Sequence, residues 1–430
     1  MKKEFAESLL DYIYDSPTAF NAVKTSKDLL IKNGFSELKL NEKWQLKVGG
    51  RYFVIKNSSS LIAFVINSDE MKDGFRIIGS HSDSPTFRIK PNAEMSVENT
   101  YLKLNTEAYG GAILSTWFDR PLAIAGRVVL KSKNALCPEE EIINIRKPIC
   151  IIPNLAIHMN GTINDGYKFN KQKDTLPLVG LINETLEKDE FLLNEISNTL
   201  SVNKEDILDF DLYLYEYEKG SIIGPNEEFI SSSRLDNLSM AHASLYGMID
   251  SIGNRGINIA AIFDNEEVGS STKQGADSNM LLNVLERICI SLEKDREDFF
   301  TAIYSSFMIS ADLAHALHPN ITEKHDPTNR PVMGGGPVIK ISANQSYTSD
   351  AFSIGVYKNI CEKCGVKYQQ FVNRSDERGG STIGPISSTH LDINSVDIGS
   401  PILSMHSIRE LGSVEDHYNI YKTFVEFYQI

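Results

Sequence analysis

Apolar residues at helical spacing among acids (Phe5, Leu9, Leu10 and Ile13) predict a helix at the start of the chain. Residues 4–34 read as one or two helices, broken at Ser16-Pro17 and stopped by Gly34. Between about 45 and 66 the pattern changes to short apolar runs with turn residues (WQLKVGGRYFVIKNSSSLIAFVIN), which predicts a hairpin. Phe75–Ser80, apolar but for Arg76 and Ser80, predicts a buried strand ending at His81. From about 88 to 230 alternation dominates (YLKLNTEAY, LAIAGRVVL, DLYLYEYEK), so this stretch reads as mostly β with one helix near 186–200.

Past residue 232 strands and helices alternate. Helices are predicted over 237–250, 277–294, 349–364 and 413–428, and strands over 257–263, 307–310 and 402–405. That rhythm implies an α/β fold with a largely parallel sheet covered on both faces. The change of pattern divides the chain into a discontinuous α/β domain, 1–87 with 231–430, and an inserted β-rich domain, 88–230.

A length of 430 residues exceeds the ~250–300 at which one core stops growing, in keeping with that division. Apolar residues make up 41% of the chain, yet no run approaches the ~18 residues of a membrane span, so no membrane partner is expected. A formal charge of −14 argues against nucleic acid as a partner, because sequence-independent binding needs a basic surface. Five scattered cysteines make no disulfide framework, and the first residues do not read as a signal peptide; both point to the cytoplasm.

Candidate chemistry collects at predicted strand ends. His81 and Asp83 follow the first strand of the α/β part, Asp264, Glu266 and Glu267 the next, Asp312 the third and His406 the last, while Asp236 stands directly ahead of a helix. Ligands of open α/β sheets bind beyond the carboxyl ends of strands, so these residues are expected at one rim. Two imidazoles and several carboxylates suit a pair of divalent ions sharing a bridging carboxylate. A balanced partition gives His81 and Asp312 to one ion, Glu267 and His406 to the other, and Asp236 to both. Glu266 is then left to act as general base toward a metal-bridging water, and Asp83 is positioned to accept the second ring N–H of His81.

The segments Gly79–Pro85, Ser233–Asn237, Asp264–Ser270, Ser310–Ala316 and Ser404–Ser407 resemble those of the aspartyl aminopeptidase family of dinuclear zinc exopeptidases. The likeness runs almost the whole length, taking in Ser16-Pro17, Thr116–Arg120 and Gly336–Lys340. It implies a phosphorylase/hydrolase-like three-layer catalytic domain with a mostly parallel mixed sheet, interrupted by a β-rich dimerisation domain. It also implies a homo-oligomer, a dodecamer built from dimers, holding two Zn2+ per subunit with Co2+ or Mn2+ as substitutes. The same metal ligands follow from it (His81, Asp236, Glu267, Asp312 and His406), with Glu266 and Asp83 catalytic and a cis peptide after Asp236. Two substrate-binding residues come from the resemblance alone. His158 would cross a dimer interface and donate to the oxyanion at a neighbouring subunit's site, and Lys340 would face an acidic N-terminal side chain. Asn21, where many relatives carry histidine, and the triplet Gly334–Gly336 depart from common family patterns.

The activity implied is removal of the N-terminal residue, Asp or Glu, from peptides with a free amine. Two alternatives compete with it: a metallo-amidohydrolase that deacylates N-acyl amino acids, and a non-catalytic cargo-binding shell. Cys361 and Cys364 form a lone CxxC without a second pair at zinc spacing, and read as helix-face thiols.

Overall fold

The computed structural model describes residues 1–183, 186, 190–253, 255–377 and 379–430. The chain separates into two units. One comprises residues 1–83, 220–405 and 410–430; the other comprises 84–219 with 406–409. The sequence division at 87/88 and 230/231 differs from this at both ends and in the short segment 406–409.

The first unit opens with α1 (Lys2–Asp15) and α2 (Ala19–Lys32). The break between them contains Ser16-Pro17, and Thr18 caps α2 by accepting the Asn21 N–H. Its large sheet contains nine strands, β1 (Ser36–Glu37), β2 (Arg51–Lys56), β3 (Ser60–Ile66), β4 (Phe75–His81), β5 (Ile257–Phe263), β6 (Phe307–Ala311), β7 (Val338–Ile341), β8 (Gln369–Val372) and β9 (Asn394–Gly399). Their spatial order is β1-β2-β3-β5-β4-β6-β9-β7-β8. The four neighbours β5, β4, β6 and β9 run parallel, and antiparallel pairings flank them on both sides.

Mostly apolar runs form β5, β4 and β6 because both faces are buried. Along β5, Ala260 and Ile262 join the core on one face, while Ile259, Ala261 and Phe263 join the other. The first face is covered by α1, α2, α3 (Leu235–Asp250), α6 (Ala351–Lys363) and α8 (Val414–Gln429). The second is covered by α4 (Met280–Ser291), α5 (Arg296–Tyr304) and α7 (Ile383–Leu391). The arrangement is the α/β fold with helices on both faces that the pattern predicts, and its mixed three-layer form is the one that the resemblance implies.

One prediction is overturned. The expected strand over 402–405 is only Pro401–Ile402, paired with Ala314–His315 in a separate two-stranded sheet. The strand beside β6 is instead β9, which the pattern missed because buried polar residues interrupt its apolar run. Asp397 lies at its centre, fully buried, with its carboxylate accepting bonds from the Thr382 hydroxyl and the Thr348 N–H, both at 2.6 Å. His406 therefore does not stand at the end of a strand of the large sheet.

The second unit is built on a six-stranded sheet in the order Glu139–Cys150, Leu122–Leu130, Ile207–Glu216, Thr86–Val97, Tyr101–Tyr109, Leu178–Leu181, with antiparallel neighbours. A helix, Phe191–Leu200, lays Phe191, Leu192 and Ile196 into the core of this unit. The predicted helix began near 186, and residues 187–189 lie outside the described residues.

Candidate metal centre

Parallel pairing sets the carboxyl ends of β5, β4 and β6 side by side, with Phe263 opposite His81 and Ser310 opposite Gly79. His81 closes β4, Asp264 follows β5 and Asp312 follows β6, so hydrogen-bond register alone gathers these side chains. Glu266 and Glu267 begin a short 3-10 turn just past β5, entered through Asn265 in the left-handed region. Asp236 sits at the start of α3, where residues 236 and 237 leave helical geometry and the Asp236-Asn237 peptide is cis. The Asn237 amide donates to the carbonyl of Ala311 at 2.9 Å, tying this turn to the residue before Asp312.

The resulting cluster lies wholly within the first unit. The His81 ring, 1% exposed, has its Nε2 at 3.5 Å from Asp236, 3.7 Å from Asp312 and 3.9 Å from Glu266. Donor atoms of His81, Asp236 and Asp312 lie within 4.8 Å of one another, as do those of His81, Glu266 and Glu267. Asp83 has two tasks. Its main-chain oxygen is 3.1 Å from His81 Nδ1, and its carboxylate accepts the N–H groups of both Glu266 and Glu267 at 3.1 Å. The carboxylate itself stands 3.3 Å from Nδ1, so the sequence expectation for Asp83 misses its grip on the two glutamates.

So many buried acids cannot all keep their charge unaided. Burial, with Asp312, Asp236 and Asp83 adding to it, pushes Glu266 up to about 8. Burial and then Asp236 hold Glu267 well above the ordinary carboxyl range. Burial disfavours a charged His81 ring, but Asp236, Asp312 and Asp83 outweigh it and raise the imidazole well above its usual value. A protonated His81 is one answer to this excess of negative charge; a divalent cation on the same ring nitrogen is another. An imidazole with carboxylate oxygens is a donor set for zinc, and the residues present fit that ion.

Lys340, on β7, is 2% exposed. Its ammonium donates to the carbonyl of Leu313 at 3.1 Å, stands 3.6 Å from Asp312 and lies over the Tyr347 ring at 5.3 Å. The glycine triplet ahead of it is held by Asp416 of α8, whose two carboxylate oxygens accept the N–H groups of Gly334 and Gly336 at 2.6 and 2.8 Å.

His406 and His158 belong to the second unit. His406 Nδ1 is 3.3 Å from the Gly111 carbonyl, an acceptor only, so Nδ1 carries the proton and a neutral ring keeps its lone pair on Nε2. The segment after it is fixed by Ile408 in the core of the unit, by the Ile408 N–H donating to Thr116, and by Arg409 and Arg120 gripping the buried Glu216. His158 sits in the exposed 3-10 turn Ile157–Met159, not on a strand. Asp119 anchors the start of that loop by accepting both the N–H and the side-chain amide of Asn154. The Thr116–Arg120 motif thus steadies the surroundings of two candidate residues, a purpose that its sequence does not disclose.

Three other histidines find structural partners. His242 and His417 are buried and bond each other at 3.1 Å, and His390 pairs with Asp277 at 2.8 Å. Cys361 is buried and Cys364 half-buried at the end of α6.

Comparison with known proteins places the chain in a family. The model of the aminopeptidase I zinc metalloprotease (M18) family matches residues 12–428. A probable M18 family aminopeptidase 2 of Clostridium novyi is 62% identical over 430 residues, covering 100% of this chain and 99% of its own. Its counterpart in Clostridium acetobutylicum is 58% identical over 428 residues, with 99% of each chain covered. Among solved structures, the Ape4 and Nbr1 complex superposes with a TM-score of 0.95 at 37% identity, covering 100% of this chain and 86% of that one. The mApe1 dodecamer of S. cerevisiae gives 0.86 at 27% identity, covering 99% and 96%. With the family model spanning nearly the whole chain, this protein belongs to the M18 family of zinc metalloproteases and is an aminopeptidase, a hydrolase that works from the peptide's N-terminal end.

Proposed function

We propose that the cluster around His81 holds two zinc ions and that the enzyme removes an acidic N-terminal residue from peptides. His81 and Asp312 would hold the first ion and Glu267 and His406 the second, with Asp236 shared by both. The observation that carries this reading is the convergence of His81, Asp236, Asp312, Glu266 and Glu267 in one buried patch. Bound there, the ions supply Lewis acidity toward the scissile carbonyl and favour ionisation of water. Co2+ or Mn2+ would serve the same donors.

The chain's own groups do the rest. Glu266, whose main chain is held by Asp83, takes the proton from the attacking water and returns it to the leaving amine. The carboxylate-rich rim receives the substrate's free α-ammonium group. His158 donates to the developing oxyanion at a neighbouring subunit's site; exposed Leu155, Ile157 and Met159 beside it support burial of that loop between subunits of a homo-oligomer. The dodecameric relative supports a homo-oligomer of twelve subunits, which would be built from dimers through the β-rich second unit. The sparse cysteines support action in the cytoplasm.

Lys340 selects the acidic side chain as a cation already stripped of water. Its closeness to Asp312 favours a second reading, in which it only steadies that ligand. A turnover panel separates the two: peptides beginning with Asp, Glu, Leu or Lys, each free and N-acetylated, given to wild type and Lys340→Ala. The expected outcome is faster turnover of free Asp and Glu peptides than of free Leu or Lys peptides, and a loss in Lys340→Ala confined to the Asp and Glu peptides. Equal losses on Leu peptides would assign Lys340 to Asp312 alone, and turnover of acetylated substrates would point to an amidohydrolase.

A further inference from the structure

Neither the sequence motifs nor the ligand set accounts for Glu410. It is a carboxylate 3% exposed, placed in a region already crowded with acids, where another negative charge is costly. It opens the strand Glu410–Ser413, which pairs antiparallel with Phe229–Ser232 so that Glu410 lies opposite Ser232. From Ser232 the chain passes through Arg234, in the left-handed region, to reach Asp236. Glu410 Oε2 accepts the main-chain N–H of Asp236 at 3.0 Å.

Asp236 is held on its other side as well. The next residue, Asn237, donates its side-chain amide to the Ala311 carbonyl, and the preceding Leu235 carbonyl accepts the Ser239 hydroxyl at 2.7 Å. The two side-chain anchors after Asp236 tie it to β6 and to its own helix. Glu410 ties it to the strand that runs into α8. A charge-assisted bond is about twice as strong as a neutral one, which offsets part of the cost of burying the carboxylate.

We propose that Glu410 is a positioning residue of the metal centre, fixing the main chain of Asp236 so that its carboxylate faces His81 and Asp312. The inference rests on the metal reading of the cluster, and its test reads the metal directly. Groups that orient metal ligands in this way cost roughly 10–100-fold in affinity when removed. Zinc affinity is measured by competition with a chromophoric chelator on metal-stripped wild type, Glu410→Gln and Glu410→Ala, with thermal melting of the same stripped proteins.

Glutamine keeps an acceptor of nearly the same shape and is the variant that preserves folding. The expected result is a graded loss, roughly 3–10-fold in Glu410→Gln and 10–100-fold in Glu410→Ala, with the stripped Glu410→Gln melting like wild type. Unchanged affinity in a folded Glu410→Gln would overturn the proposal, and so would a loss of affinity matched by a lowered melting point of the stripped protein. A wild type that takes up no zinc would overturn the metal reading and this inference together.

Discussion

Replacing Glu266 with glutamine is expected to lower kcat by roughly 10²–10⁴-fold while leaving the fold, the assembly and the metal content intact. Glutamine has the shape of glutamate but cannot take a proton from water. Glu266 is held by its N–H to the Asp83 carboxylate, a contact the substitution leaves alone. Removing its charge also relieves a group that burial and the neighbouring Asp312 and Asp236 already force upward. Zinc content equal to wild type with activity almost abolished is the predicted pair of results. Substantial turnover would take the base assignment away from Glu266.

His158→Ala is expected to have the second largest effect, roughly 10²–10³ in kcat, the usual loss for one preorganised oxyanion donor. The position is exposed and lies in the second unit, so the variant's zinc content and melting point should match wild type. If the donor serves a neighbouring subunit, two inactive proteins complement each other. In dimers exchanged between His158→Ala and Glu266→Gln, one mixed site receives Glu266 from one chain and His158 from the other. For random exchange in a twofold dimer, activity should return to about a quarter of wild type. Recovery that never rises above the sum of the separate variants would confine His158 to its own subunit or to no role in catalysis.

The core of the catalytic unit was legible because its physics is local. Ile257–Phe263 and Phe75–Ser80 are mostly apolar runs long enough for one buried strand each, and acids placed just after them can only stand at a sheet rim. The register between β5 and β4 then brings His81 to the acids. What pattern could not reveal depends on long-range partners. Asp397 lies within a central strand that the apolar pattern does not mark, and its burial depends on Thr348 and Thr382, which the fold brings to it. His406 looked like the end of a fourth strand, yet it opens a segment held by Glu216, Thr116 and Gly111 of the other unit. Glu410 carries no signal of its own, because its partner is a backbone N–H that any residue could offer.

Lys340 shows the same limit from the other side. The family motif puts it near the substrate, but nothing in the motif signals that its ammonium lies buried between a carbonyl and Asp312.

All of this depends on paired cations at the ends of β5, β4 and β6. Anomalous diffraction at the zinc edge, from crystals grown with the metal restored, measures that directly. Two peaks roughly 3.5–4 Å apart are expected. His81 and Asp312 should lie at one, Glu267 and His406 at the other, and Asp236 between them. A single peak in excess zinc, or density remote from His81, would contradict the account.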